Sequence, residues 1–325
     1  MINANHIFNI NTSQEFDTMA LDIFKFQFEN NPVYRSYCDL LYKHPSDITQ
    51  VKDIPFLPIQ FFKSHTVLSQ KNIEKTFTSS GTTGTTTSKH HVSDLSIYEN
   101  SFTKGFQKFY GNVEDYTILA LLPSYLERDG SSLIYMVDHL ITQSQHTESG
   151  YYLNNLSDLK STLLKLEAQG KKTLLIGVSF ALLDLVEHHQ FQLKNTIVME
   201  TGGMKGRRKE LIREELHAIL KQGFGVENIH SEYGMTELLS QAYSQGKGLF
   251  KCPNWMRVVT RDTEDPLTIL NTSSSGGLNI IDLANINSCS FIATQDLGKV
   301  HPNSTFEVLG RFDHSDIRGC NLMVL

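Results

Sequence analysis

Cysteine is scarce: the 325-residue chain has four, Cys38, Cys252, Cys289 and Cys320, all far apart. No two form a Cys-x-x-Cys pair, so neither a zinc motif nor a disulfide framework is indicated, and a reducing cytoplasm is the expected setting. Excess positive charge is lacking too. Lys and Arg number 29 against 35 Asp and Glu, a net charge of −6, which leaves no electrostatic footprint for nucleic acid. No apolar run approaches the roughly 20 residues that span a bilayer. The start, Met1-Ile2-Asn3-Ala4-Asn5-His6, has no basic stretch leading into an apolar one, so no secretory signal is expected. Gly-x-x-x-x-Gly-Lys-Ser/Thr is missing, which excludes a Walker phosphate loop. Gly177-Val178-Ser179-Phe180 lacks the glycine that a nucleophile elbow needs two residues after its serine. Histidines total 13, but His90-His91 and His188-His189 are adjacent pairs. Neighbours in sequence do not share a helix face, and these read as surface residues rather than metal ligands.

With 40% hydrophobic and 20% charged residues, the chain has enough apolar material for a well-buried α/β core. Thr12-Ser13-Gln14-Glu15 reads as a capping box, opening a helix that carries Phe16, Met19, Ala20, Ile23 and Phe24 at helical spacing and stops at Asn30-Asn31-Pro32. A second short helix is expected over 34–42. Residues 1–70 are therefore expected to form a helical cap with an aromatic-rich lead-in around Phe56, Phe61 and Phe62, side chains that suit core more readily than an acyl slot. From 71 to 255 strands and helices alternate: strands over 116–122, 173–177, 196–199 and 228–231, helices over 94–110, 131–142, 156–168, 180–188, 207–222 and 236–243. Apolar strands alternating with amphipathic helices imply a parallel sheet covered by helices, with ligands beyond the carboxyl ends of its strands. Residues 256–325 change to short strands, expected over 257–261, 267–270, 278–281, 291–293 and 305–309 and divided by Gly, Ser, Asn and Asp, a smaller and mostly antiparallel β region.

Four stretches carry chemistry. Thr76-Phe77-Thr78-Ser79-Ser80-Gly81-Thr82-Thr83-Gly84 continues as Thr85-Thr86-Thr87-Ser88-Lys89. Such a loop can aim backbone N–H groups and hydroxyls at one anion, its glycines removing the Cβ atoms that would hold a phosphate off, and Lys89 can add a point charge. The plain alternative is a flexible Ser/Thr linker. Glu200-Thr201-Gly202-Gly203-Met204 follows a strand, where paired glycines admit a flat ring or simply make a tight turn. Ser231-Glu232-Tyr233-Gly234-Met235-Thr236-Glu237 lies between a strand and an expected helix. There Thr236 suits an anion and Glu237 suits Mg²⁺, or the two simply cap the helix. Thr294-Gln295-Asp296-Leu297-Gly298 and Gly310-Arg311-Phe312-Asp313 offer an aspartate for ribose hydroxyls and an arginine for the phosphate side.

Taken together and in this order, these stretches resemble the signature motifs of the adenylate-forming superfamily of acyl-CoA synthetases, luciferases and peptide-synthetase adenylation domains. Tyr233-Gly234-Met235-Thr236-Glu237 matches fully, and Thr294-Gln295-Asp296 departs by one residue from the usual Thr-Gly-Asp. The resemblance implies the fold of the large N-terminal domain of those enzymes, with ATP and Mg²⁺ as cofactors. It implies that Thr78, Ser79, Ser80, Gly81, Thr82, Thr83 and Gly84 cradle phosphates with Lys89 assisting. Gly202 and Gly203 would lie against adenine, with Tyr233 stacked on it beside Gly234. Thr236 would meet the α-phosphate, Glu237 would hold Mg²⁺, and Asp296 with Arg311 would hold the ribose.

In the larger family a C-terminal lid with a catalytic lysine follows the Gly-Arg-x-Asp element. Here the sequence stops at Leu325, and no lysine follows Lys299. In this it is similar to the LuxE-type acyl-protein synthetase branch, as it is in Phe62-Lys63 and in Arg318-Gly319-Cys320-Asn321. That branch implies activation of a carboxylic acid, a fatty acid, and transfer of the acyl group to a thiol. The thiol would be Cys320 or one on an acyl-accepting protein such as a reductase or acyl carrier protein. Arg318 would favour the thiolate of Cys320. The alternative for Cys320 is a small buried residue in a terminal strand. The alternative for the whole chain is an adenylate fold that binds nucleotide or acyl groups without turnover.

Overall fold

In the computed structural model, the described residues are 2, 4–79, 86–123, 130–202 and 211–312. The capping box forms as expected. Thr12 accepts from the Glu15 amide, and the Glu15 carboxylate accepts from the Thr12 amide, opening the helix Ser13–Asn30. Asn31 ends that helix and caps the next, Pro32–Leu40, by accepting from the amides of Val33 and Tyr34.

Among the described residues the centre is a 12-stranded sheet, eleven strands in one path and a twelfth, Leu57–Pro58, pairing parallel with Phe291–Val300 off it. One half is parallel, in the order Gly150–Tyr151, Thr117–Leu121, Thr173–Val178, Thr196–Thr201 and His230–Tyr233. The other half is antiparallel. It starts with Ala242–Ser244 paired on His230–Tyr233 and continues through Phe250–Lys251, Phe306–Arg311, Phe291–Val300, Ser275–Asp282 and Met256–Arg261. The antiparallel strands thus extend the same sheet. The parallel strands show why their sequences are continuously apolar: Thr117–Leu121 is buried at every position. Ile118 and Ala120 join the core on one face, which includes Phe24, Tyr98, Phe102 and Val137. Leu119 and Leu121 join the other, with Leu163, Leu182 and Leu220. This is the period-2 alternation of a sheet covered on both sides. No helix among the described residues is long and apolar enough to cross a membrane.

Three expectations fail. No helix forms over 236–243; a turn at Thr236–Glu237 leads into the strand Ala242–Ser244. Over 207–222, the helix in the described part begins only at Arg213, at Arg213–Phe224. The stretch 267–270 makes a single bridge, Arg261 to Ile269, rather than a strand.

Candidate active site

The hydroxyl-rich stretch is the connection of a two-stranded antiparallel hairpin, Lys75–Thr78 with Lys89–Val92, in which Thr78 pairs with Lys89 and Phe77 with His90. At its base the Ser79 amide donates to the Ser88 carbonyl, and the Ser88 amide donates to the Ser79 hydroxyl at 2.9 Å. Gly130 buttresses it: its carbonyl accepts from the Thr78 amide at 2.7 Å, and a Cβ on it would meet Thr78 Oγ1 at 2.9 Å. Nothing in the sequence marked Gly130. Lys89 is exposed at the hairpin mouth. Ser80, Gly81, Thr82, Thr83 and Gly84 lie outside the described residues.

The carboxyl ends of Thr196–Thr201 and His230–Tyr233 lie side by side, Thr201 in register with Glu232. Gly202 has φ +67° and is exposed, and a Cβ there would meet none of the described residues within 4 Å. The Ser179 hydroxyl lies 3.0 Å from the Gly202 carbonyl and 3.3 Å from Glu200 Oε2, and so ties this turn down. Gly203 lies outside the described residues. Gly234 is exposed but cramped beneath: a Cβ would come within 2.5 Å of Glu232 Oε1. The Glu232 carboxyl is buried and pushed up to about 7 by desolvation, although the Thr201 hydroxyl donates to it.

Asp296 and Arg311 face each other across adjacent strands, in register. Arg311 Nε donates to Asp296 Oδ1 at 3.1 Å, and the Tyr233 hydroxyl donates to Asp296 Oδ2 at 2.8 Å. The arginine side chain is 66% exposed and the aspartate 8%. The Tyr233 ring packs at 5.4 Å from Phe306 and 5.8 Å from Phe250. The structure therefore joins Tyr233, Asp296 and Arg311 in one cluster on the antiparallel side of the sheet junction.

Glu237 has its carboxyl raised by burial. The Ser88 hydroxyl, its own amide and the charges of Arg311 and Lys63 pull it the other way. Its hydrogen bond to Ser88 ties it to the hairpin base, while Arg311 and Lys63 are the positive charges acting on it. No helix begins at Thr236, so no helix N-terminus stands behind an anion there. The turn is held instead by side chains from elsewhere. His90 Nδ1 lies 2.8 Å from the Thr236 carbonyl and Nε2 lies 2.9 Å from Asn285 Oδ1. Asn285 Nδ2 donates to the Glu237 carbonyl at 2.8 Å. Asp282 accepts from the amides of Leu239 and Ser240 at 2.8 and 2.9 Å. His90 is fully buried, with Phe62 edge-on at 5.6 Å, which corrects its reading as a surface residue. In a strand, adjacent residues point to opposite faces, so His91 can stay partly exposed while His90 turns inward. Both ring nitrogens of His90 face oxygen. A charged ring would serve both, and burial, which pulls the imidazole down to about 4, opposes that charge.

Of the remaining candidates, Cys320 lies outside the described residues. Phe56 and Phe62 are core residues. Cys38, Cys252 and Cys289 are free thiols.

Residues 8–325 match the family described as acyl-protein synthetase, LuxE. A long-chain-fatty-acid–luciferin-component ligase of Photorhabdus luminescens is 38% identical over 68 residues, which is 20% of this chain and 58% of that protein. Among solved structures, ATP-bound MatB from Rhodopseudomonas palustris aligns over 75% of this chain and 49% of its own, with TM-score 0.55 and 15% identity. A 2-hydroxyisobutyryl-CoA ligase in complex with 2-HIB-AMP and CoA aligns over 94% of this chain and 72% of its own, with TM-score 0.67 and 11% identity. The alignment thus spans about half of the MatB chain. At such identities the likeness is one of fold, and function has to be argued from the site.

Proposed function

This chain belongs to the LuxE acyl-protein synthetase family, and on that premise we propose that it uses ATP to activate a carboxylic acid, with fatty acids the first class to test. One observation carries the reading. The turn that carries Thr236 and Glu237 is bonded through His90 to the exit strand of the hydroxyl-rich hairpin, and Tyr233, just before that turn, bonds Asp296 together with Arg311. Such an arrangement would hold a triphosphate at the hairpin end and a ribose at the Asp296 end, which supports the reading.

In the proposed first step a carboxylate oxygen of the acid attacks the α-phosphorus of ATP. The bond from that phosphorus to the bridging oxygen breaks, pyrophosphate leaves, and an acyl adenylate remains. The barrier is electrostatic, because negative charge gathers on phosphoryl oxygens. Hydroxyls and amides of the hairpin and the Thr236 side chain would spread that charge. Glu237 fits Mg²⁺, which commonly takes one or two carboxylates together with substrate phosphate oxygens and water. Bound there, the ion would neutralise charge on the phosphates. Asp296 would accept from ribose hydroxyls, and the exposed backbone at Gly202 would admit adenine.

In the proposed second step a thiolate attacks the acyl carbon and AMP leaves as the thioester forms, which splits one difficult acylation into two easier ones. The thiol is that of Cys320 or one on a partner such as a reductase or acyl carrier protein. The test is carboxylate-dependent exchange of labelled pyrophosphate into ATP, across short, long and aromatic acids, on wild type and on Cys320→Ala. Exchange kept in the variant, with covalent acyl label lost, supports both steps. Exchange without covalent label in either protein moves the acceptor to another molecule. ATP binding without exchange for any acid refutes the enzyme reading and leaves a nucleotide-binding protein.

A further inference from the structure

The turn Thr236–Glu237 has been given chemistry above, but its own backbone is held by residues to which no role has been given. The Thr236 carbonyl is reached by His90, which is 146 positions away in sequence. The next carbonyl, Glu237, is reached by Asn285, and Asn285 in turn touches His90. His90 lies on the exit strand of the hydroxyl-rich hairpin, paired with Phe77 on the strand that leads in. Asn285 lies in a stretch that is itself fixed. Its carbonyl accepts from Gln27 Nε2 at 3.0 Å, Gln27 also bonds the Ile286 carbonyl and Ser290, and all three side chains are fully buried. The chain of contacts therefore runs from the N-terminal helix through Asn285 and His90 to the hairpin. It grips two successive carbonyls of the turn on the way.

We propose that His90 is a positioning residue for the site, a clamp that holds the Thr236–Glu237 turn against the exit strand of the hydroxyl-rich hairpin through the Thr236 carbonyl, while Asn285 independently holds the Glu237 carbonyl. The role assigned to the turn rests on the nucleotide-activating function proposed above. The physical need is clear from the failed helix. A helix over 236–243 would have paired the Thr236 and Glu237 carbonyls with the Ser240 and Gln241 amides. The turn cannot, and buried backbone groups without partners are costly. His90 and Asn285 supply the carbonyls, as Asp282 supplies the amides. Because His90 stands on the hairpin's exit strand, that strand and the turn hold a fixed spacing. If the clamp is cut, the competent geometry becomes a fraction of the ensemble, and apparent affinity for Mg·ATP falls by that fraction.

Two conservative variants separate the contacts. His90→Asn places an amide nitrogen where Nδ1 stands, keeping a donor for the Thr236 carbonyl. His90→Gln places one where Nε2 stands, keeping Asn285 and giving up Thr236. Amide hydrogen exchange of the 234–244 segment reads the clamp without any activity. His90→Asn is expected to match wild type, and His90→Gln to exchange about tenfold faster or more, since losing one buried hydrogen bond is worth about that in population. In pyrophosphate exchange, His90→Gln is expected to raise KM for Mg·ATP about tenfold with kcat changed less than about threefold, while His90→Asn stays within about twofold. Equal exchange protection in the three proteins overturns the clamp. So does an equal loss in both variants, which marks a packing role alone. If wild type catalyses no pyrophosphate exchange, the functional reading fails on its own, and the hydrogen-exchange comparison still decides the clamp.

Discussion

Asp282→Ala removes a fully buried carboxyl that accepts from the amides of Leu239, Ser240 and Ala284 and from the Ser240 hydroxyl. The hydroxyl keeps Ser101 as a neighbour at 2.9 Å, but the amides lose their acceptor. Each orphaned buried amide costs about 1–3 kcal/mol. Against that stands the burden of the carboxylate itself. Burial pushes Asp282 up to about 6 from an ordinary 3.8, so its ionised form is disfavoured by about 3 kcal/mol at neutral pH. Orphaned amides at about 2 kcal/mol each outweigh that relief, and the expected net loss is about 3 kcal/mol. Asp282→Asn keeps one acceptor oxygen for the Leu239 and Ser240 amides, sheds the charge, and should lose about 1 kcal/mol. Urea unfolding at pH 7 with an unchanged m-value measures both.

The same residue sets a pH signature. With its pKa raised on folding, Asp282 holds more proton in the folded than in the unfolded state between about pH 4 and 6. Its contribution to stability is therefore greatest below that window and is lost as pH rises through it, by up to about 3 kcal/mol. Asp282→Asn removes this term, so the difference between wild type and variant should change across the window and stay constant above it. A loss below about 1 kcal/mol in Asp282→Ala, or stability curves for wild type and Asp282→Asn that run parallel from pH 4 to 6, would refute the claim that this carboxylate carries the turn.

Glu237→Gln should lower pyrophosphate exchange by about a hundredfold or more, as expected for loss of a group aimed at transition-state charge, and leave the melting temperature nearly unchanged; a Mg²⁺ titration of the exchange rate checks the assignment. Gly234→Ala drives a Cβ to within 2.5 Å of Glu232 Oε1, and thermal unfolding should report a loss of about 1–3 kcal/mol, the usual cost of overpacking. Asp296→Ala takes the acceptor from a buried Tyr233 hydroxyl and frees Arg311. It should cost about 1–3 kcal/mol in denaturant unfolding and also raise KM for ATP, whereas an unchanged KM would remove Asp296 from the nucleotide site.

What was legible in the sequence was what is local. The capping box at Thr12 and Glu15, the fully buried strand Thr117–Leu121 and the helix Leu156–Ala168 each declare themselves within a short window. So do the short motifs that carry Tyr233, Glu237 and Asp296. The helix expected over 236–243 shows where this ends. Its residues are acceptable helix formers, but 237–243 are all buried, with no polar face for a surface helix to turn outward. Its backbone is satisfied from outside, by partners 146, 48 and 43 positions away, and no window of sequence contains them. His90 was misread for a related reason: adjacency argues against a shared helix face, but on a strand it sends one histidine inward and the other outward. The groups proposed to meet substrate are thus readable because each sits in a short local motif, while the groups that hold them are not, because their role exists only once distant segments have met. A change at His90, Asn285 or Asp282 therefore tests the site at the level where the fold, and not the motif, makes it competent.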